Sequence, residues 1–283
     1  MKAKKIITNS IVHIILAILG FIWVLPLFIT VLTSFRKESG QYKTYIFPKE
    51  YTLDNYINLF SDSGSLNYSK WFMNTLIVSI CCCIVSTLFV LCVAYTMSRL
   101  RFKMRKPMMN ISLIIGMFPA FMSMIAVYYI LKGIGLLETG QLKLVALGMV
   151  YSGGAGAAFF IAKGFFDTIP KALDEAAFLD GASNWDVFTK ISLPLTKPIV
   201  VYTLMTSFMA PWIDFVFARV ILGNDRTYYT VAVGLFTMLE QEFVEYYYTR
   251  FFAGAVIISI PISILFLFTQ KYYAESMAGA VKG

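Results

Sequence analysis

The sequence predicts an all-α, polytopic membrane protein with six transmembrane helices and a helix-turn-helix elbow on its cytoplasmic face. Three observations carry that expectation. Hydrophobic residues fill 58% of the 283 positions against 14% charged, and mean hydropathy is +0.71. So few charges cannot cover a water-facing surface, so lipid must be the main solvent and a soluble enzyme is excluded. Apolar runs recur at the about 17–25 residues needed to cross a hydrocarbon layer about 30 Å thick. Between two of those runs lies one segment, 163–198, too polar to span and too patterned to be a linker.

On the length criterion the spans fall near 11–33, 72–97, 108–131, 144–162, 198–222 and 251–270. The first has more than twenty apolar residues and no small-residue cleavage site after it, so it reads as a retained anchor rather than a signal peptide. An even number of spans puts both termini on one side. Basic residues resist translocation while acidic ones count little. Segment 98–107 carries Arg99, Arg101, Lys103, Arg105 and Lys106 with no carboxylate, and the N-terminus adds Lys2, Lys4 and Lys5. Both therefore belong in the cytoplasm, an arrangement that leaves 14 basic residues inside and 9 outside, with Arg219 within a span. The net charge of +8 is explained by this topology, so nucleic acid is not an expected partner.

Two outside segments are long, 34–71 and 223–250. The second interleaves Glu240, Glu242 and Glu245 with Phe243, Tyr246, Tyr247 and Tyr248. That mixture suits a sugar or a protein partner, and equally an interfacial aromatic belt with a solvated acidic face.

Within 163–198, Thr168 is a candidate cap and Pro170 suits a first helical turn. Asp174 and Glu175 lie early, where the backbone dipole favours negative charge. A short helix should run to about Leu179. Gly181 then permits a sharp turn, and Ser183 with Asp186 three residues on resembles a cap opening a second helix to Lys190, before Pro194 and Pro198 stop the elbow. Ala176, Ala177, Phe178, Val187, Phe188 and Ile191 are more apolar than a solvated loop needs, so the elbow should press on something. Its own membrane helices would serve.

Cys81, Cys82, Cys83 and Cys92 share one apolar stretch and read as small lipid-helix residues. His13 has no ligand-spaced partner, so no metal site is implied. Gly153, Gly154 and Gly156 lie within a span and favour close helix packing. Asp214 and Arg219 lie in the fifth span after Pro211 and Trp212. A lone charge at the bilayer centre costs on the order of 2.5–3.5 kcal/mol, so such residues face a bundle interior or an aqueous cavity. A translocation path, an interfacial position and a bond to another subunit all stay open. Trp212 could stack on a sugar ring, although packing explains most aromatics here.

The set Glu175, Ala176, Ala177, Asp180, Gly181, Ala182, Phe188, Leu193, Pro194 and Pro198 resembles the EAA motif of the inner-membrane permease subunits of ABC importers. The tail Ala278–Gly283, the Trp71-Phe-Met-Asn74-Thr75 entry to the second span and the six-helix layout resemble the smaller permease of maltose-type carbohydrate importers. The resemblance covers nearly the whole chain and implies a single permease domain over 1–283, with a coupling elbow at 168–198 that docks into an ATPase subunit through Glu175, Ala176, Ala177, Asp180, Gly181, Phe188 and Pro194. It further implies a second permease, two ATPase subunits or domains and an extracellular sugar-binding protein, which Glu240, Gln241 and Glu242 would touch. The run Met238–Phe243 departs from the maltose-type pattern, which puts that contact in doubt. No Gly-x-x-x-x-Gly-Lys-Ser/Thr loop occurs, so ATP and magnesium belong to a partner and this chain is a transport subunit rather than an enzyme. The implied cargo is maltose, maltodextrin or another oligosaccharide. Alternatives are glycerol phosphate or a small polyol through a similar permease, or an ion-coupled secondary transporter, which normally needs carboxylates and broken helices.

Overall fold

The computed structural model describes residues 2–41, 45–62, 64, 66–154 and 158–280, without the side chains of 2–8, 120, 154 and 273–280. Among the described residues the backbone is helical, with one isolated bridge between Arg36 and Tyr51. Four helical spans are long and apolar enough to cross a membrane, and two bent pairs raise the number to six if each is one span. Backbone polar groups in lipid must be satisfied within the segment, which is why these runs are helices.

Helix α1 is Lys2–Ser34, α2 is Asp54–Ser61, and α3, Tyr68–Arg99, contains the whole second expected span. The third span, expected as one helix over 108–131, is instead α4, Arg105–Gly116, and α5, Ala120–Gly133, bent by 105°. Pro119 stands at the start of α5 with ψ 132°, and a proline bars its predecessor from helical geometry, so the chain must turn there. The fourth is α6, Gly140–Gly154, and α7, Ala158–Asp167. The fifth, expected over 198–222, is also broken. Helix α11, Lys197–Ile213, meets α12, Val216–Leu222, at 60°, with Asp214 in extended geometry at the corner. The sixth lies within α14, Val244–Ala280, preceded by α13, Val231–Met238.

Between α7 and α11 come α8, Lys171–Leu179, the short α9, Asn184–Asp186, a π-helical turn Val187–Ser192, and α10, Leu193–Leu195.

Two compact units divide the chain. One comprises the residues up to Tyr68 with Leu235–Ile260, the other Ser69–Gly234 with the segment from Pro261 onward. In the first, Asn55 Nδ2 donates to Ser34 O at 2.9 Å and Arg36 O at 2.7 Å, while Asn55 Oδ1 accepts from Thr249 Oγ1 at 2.9 Å. One buried amide thus satisfies the frayed end of α1 and reaches α14. Asp62 accepts from Tyr247 Oη at 3.0 Å and Arg250 Nη1 at 3.3 Å. In the second unit the core gathers Val90, Leu91, Ala94 and Tyr95 of α3 with Phe159 and Phe166 of α7, then Val187, Phe188 and Ile199.

Candidate functional site

The elbow is built by local chemistry. Pro170, at φ −58°, opens α8, but Thr168 is not its cap, because its Oγ1 bonds Phe165 O at 2.7 Å and so closes α7 instead. Helix α8 ends in a Schellman motif: Ala182 N donates to Ala177 O at 2.9 Å and Gly181 N to Phe178 O at 3.1 Å. That motif needs a left-handed residue, and Gly181 supplies it at φ +85°. Ser183 then forms a complete capping box. Its Oγ accepts from Asp186 N at 3.2 Å, and Asp186 Oδ2 accepts from Ser183 N at 3.1 Å. The ammonium of Lys190, 2.6 Å from Asp186 Oδ1, and the Ser183 bonds hold the Asp186 carboxyl well below the usual carboxylate range. Pro194 and Pro198 do not stop the segment. Both sit in the first turn of a helix, where a missing N–H costs nothing, so the elbow runs through α10 into α11.

The structure sorts the expected coupling residues into two groups. Phe188 is buried against Tyr95, with ring centroids 4.8 Å apart, and so anchors the elbow. Glu175, Ala176, Asp180, Gly181 and Pro194 are exposed, and Ala177 is half-buried. Large apolar side chains stand out on the same segment, with Leu179 89% and Trp185 65% exposed and Leu173 and Phe178 about half as exposed as Leu179. Asp180, Gly181, Asp186 and Lys190 border a cavity of about 300 Å³. Lys171, Glu175, Asp180 and Lys190 are exposed on the same segment, so these apolar groups suit a protein surface.

Asp214 occupies the corner between α11 and α12. Its carboxylate accepts from Phe217 N at 3.2 Å and Ala218 N at 3.1 Å, capping α12, and from Tyr151 Oη of α6 at 2.6 Å. It also borders a cavity of about 270 Å³ with Phe121 and Met124. Arg219 donates to Tyr229 Oη and lies over that ring at 5.2 Å. Trp212 is buried between Phe72 and Phe208, at ring distances of 5.2 and 5.9 Å. Gly153 is not tightly packed within the chain, since a side chain there would meet nothing within 4 Å; Gly156 lies outside the described residues. Glu240, Gln241 and Glu242 form the turn before α14. Glu240 O accepts from Phe243 N at 2.8 Å and Val244 N at 2.9 Å, and Gln241 and Glu242 are exposed.

Sequence reasoning noticed Trp71, Asn74 and Thr75 without a role for them. Trp71 Nε1 donates to Arg226 O at 2.7 Å, and Asn74 Nδ2 donates to Thr227 O and Tyr229 O, each at 3.1 Å. Thr75 Oγ1 accepts from Val231 N at 2.7 Å. The first turns of α3 thus satisfy backbone groups of 226–231, where the chain passes from a single 3-10 turn, Arg226–Tyr228, into the start of α13.

Residues 90–279 match the family described as the binding-protein-dependent transport system inner membrane component. The chain belongs to this family. The chain is similar to the galactooligosaccharide transport permease GanQ of Bacillus subtilis, 35% identical across 100% of this chain and 99% of that one. The maltodextrin permease MalD of Streptococcus pneumoniae is 32% identical across 100% and 99%. A solved bacterial ABC transporter importing alginate shares the fold at a TM-score of 0.74 with 21% identity, over 94% of this chain and 96% of that one. Membership makes this chain a multi-pass transport subunit and removes the ion-coupled carrier as a rival. Broken spans, absent from the sequence reading, therefore occur here in a permease.

Proposed function

We propose that this chain is one permease of an ATP-driven importer that carries an oligosaccharide inward, paired with a second permease, two ATPase subunits or domains and an extracellular sugar-binding protein. The observation that carries the reading is the elbow, whose exposed Leu179, Trp185 and Phe178 sit among charged residues on a capped, turn-defined scaffold. Residues 168–198 are the ATPase-docking segment of a single permease domain spanning 1–283, with Glu175, Ala176, Ala177, Asp180, Gly181 and Pro194 on the outer side and buried Phe188 behind them. ATP and magnesium act in the partner. Both termini and the elbow lie in the cytoplasm, in keeping with the charge bias.

Asp214, Arg219 and Trp212 border the path or the second permease, and Glu240, Gln241 and Glu242 meet the binding protein. Maltodextrin and galactooligosaccharide are the leading cargoes, because relatives named for each align over the full chain. Proteoliposomes holding the assembled complex should take up labelled maltotriose or galactotriose only with internal-facing ATP. Uptake driven by a proton or sodium gradient without ATP would overturn the reading, and glycerol 3-phosphate uptake without sugar uptake would overturn the cargo.

A further inference from the structure

Three polar side chains in the last turns of α3 reach the elbow or its approach. Tyr95 Oη donates to Asn184 O at 3.2 Å, where α9 opens. Ser98 Oγ donates to Asp167 Oδ1 at 2.5 Å, at the end of α7, and Lys163 holds the other oxygen of that carboxylate at 2.5 Å. Arg99 reaches furthest. Its Nη2 donates to Ile169 O at 2.8 Å, in the connection before α8, and its Nη1 lies 3.2 Å from Asp174 Oδ2 inside α8. The two charged side chains are 4% and 11% exposed.

As a stabiliser alone this pair is a poor choice. Removing two charges from water is costly, and an apolar pair of similar volume often does as well. Here the satisfaction is also incomplete, because Arg99 Nε and Asp174 Oδ1 have no hydrogen-bond partner among the described residues. What the pair supplies is direction. A planar guanidinium that grips a carbonyl before α8 and a carboxylate within it fixes the helix in both position and rotation, which greasy contacts do not. The chain changes direction at the connection 168–170 before α8 and again at Gly181, φ +85°, after it, so the orientation of α8 has to be set by contacts from outside the elbow.

We propose that Arg99 and Asp174 are positioning residues that lock α8 to the end of α3, so that a displacement of the elbow is delivered to α3 as the motion of one body. The proposal rests on the elbow being the ATPase-docking segment. Tyr95 and Ser98 fix the flanks, and Arg99 fixes the helix that carries the exposed Leu179.

Spin labels at Thr96→Cys and Lys171→Cys, with the four native cysteines replaced by Ser, read the distance from α3 to α8 in the assembled importer in lipid nanodiscs. With Arg99 and Asp174 intact, one narrow distance distribution should persist in nucleotide-free and ATP-bound states. The double variant Arg99→Met/Asp174→Leu leaves no unpaired ion and should fold, yet its distribution should broaden. Sugar taken up per ATP hydrolysed should fall about fivefold or more. Arg99→Lys, which keeps the charge without the fork, should broaden the distribution to an intermediate degree. A double variant as narrow and as well coupled as the parent would overturn the lock. Failure of the docking reading is separable: the parent's ATP hydrolysis would then ignore the binding protein, while the distance distribution would still report on α3 and α8.

Discussion

Adding one methyl group at Gly234 should destabilise the protein by about 2–4 kcal/mol. A Cβ built there would lie 2.6 Å from Trp71 Cζ3 and closer still to Cε3 and Cδ2, where carbon atoms normally rest about 3.5–4.0 Å apart. The indole cannot swing aside, because it is fully buried and its Nε1 holds Arg226 O at 2.7 Å. Overpacking of this kind costs about 1–3 kcal/mol, and losing the indole hydrogen bond adds about 1 kcal/mol. The assay is thermal unfolding of purified Gly234→Ala, whose apparent Tm should fall by about 5–10 °C. Trp71→Leu opens the space, so the same methyl group should cost almost nothing in that background, a non-additivity that only direct contact produces. An equal Tm drop in both backgrounds, or none in either, would refute the packing of Gly234 on the indole.

Further expectations can be checked independently. In a cysteine-free background, a membrane-impermeant maleimide should label Gln241→Cys from outside and Lys103→Cys only from the cytoplasm; outside labelling at 103 would reverse the topology. Gly181→Val meets open space, so its cost is the left-handed backbone alone, about 1–2 kcal/mol, and it should uncouple ATP hydrolysis from uptake while membrane insertion persists; unchanged uptake and ATPase pull-down would refute the docking role. Asp214→Asn should retain ATP-dependent uptake, because an amide oxygen can still cap α12, whereas Asp214→Leu should lower thermal stability by about 1–2 kcal/mol through the lost cap; equal stability would refute the capping role. The Asp186 carboxyl is held low by Lys190 and Ser183, so its contribution is complete above the ordinary aspartate value near 3.8 and fades as pH falls through its lower folded value. Asp186→Asn should remove that acid limb from a pH series of elbow unfolding, and an unaltered limb would refute the assignment.

The all-helical class, the positions of the apolar spans, the Gly181 turn and the Ser183–Asp186 capping box were legible in the residues themselves, whereas the roles of Thr168, Pro194 and Pro198 were not. Apolar run length, the Ser183–Asp186 spacing and the glycine at 181 act locally, and local rules read them without knowing what lies across the chain. Hydropathy, by contrast, could not reveal the 105° bend before α5 or the 60° corner at Asp214, because a broken span and a straight one have the same composition. Pro119 was the available signal for the first break. For the second, Asp214 looked like an isolated charge until Tyr151, 63 residues earlier, was placed on it.

The same limit governs the site residues. Glu175 and Phe188 belong to one motif, yet only folding puts Phe188 in the core beside Tyr95 and leaves Glu175 in the open. Sequence reading assigned Asp174 to the helix dipole and Arg99 to the topological charge count, and each role is a property of one residue and its neighbours. Their meeting depends on α3 and α8 coming together, and Trp71 reaches Arg226 across 155 positions for the same reason. Solvent preference and backbone geometry are written in short stretches of chain, so the sequence by itself determined where this protein is apolar, helical and turned. Which buried donor meets which acceptor depends on the relative placement of whole helices, and tertiary structure alone decided it.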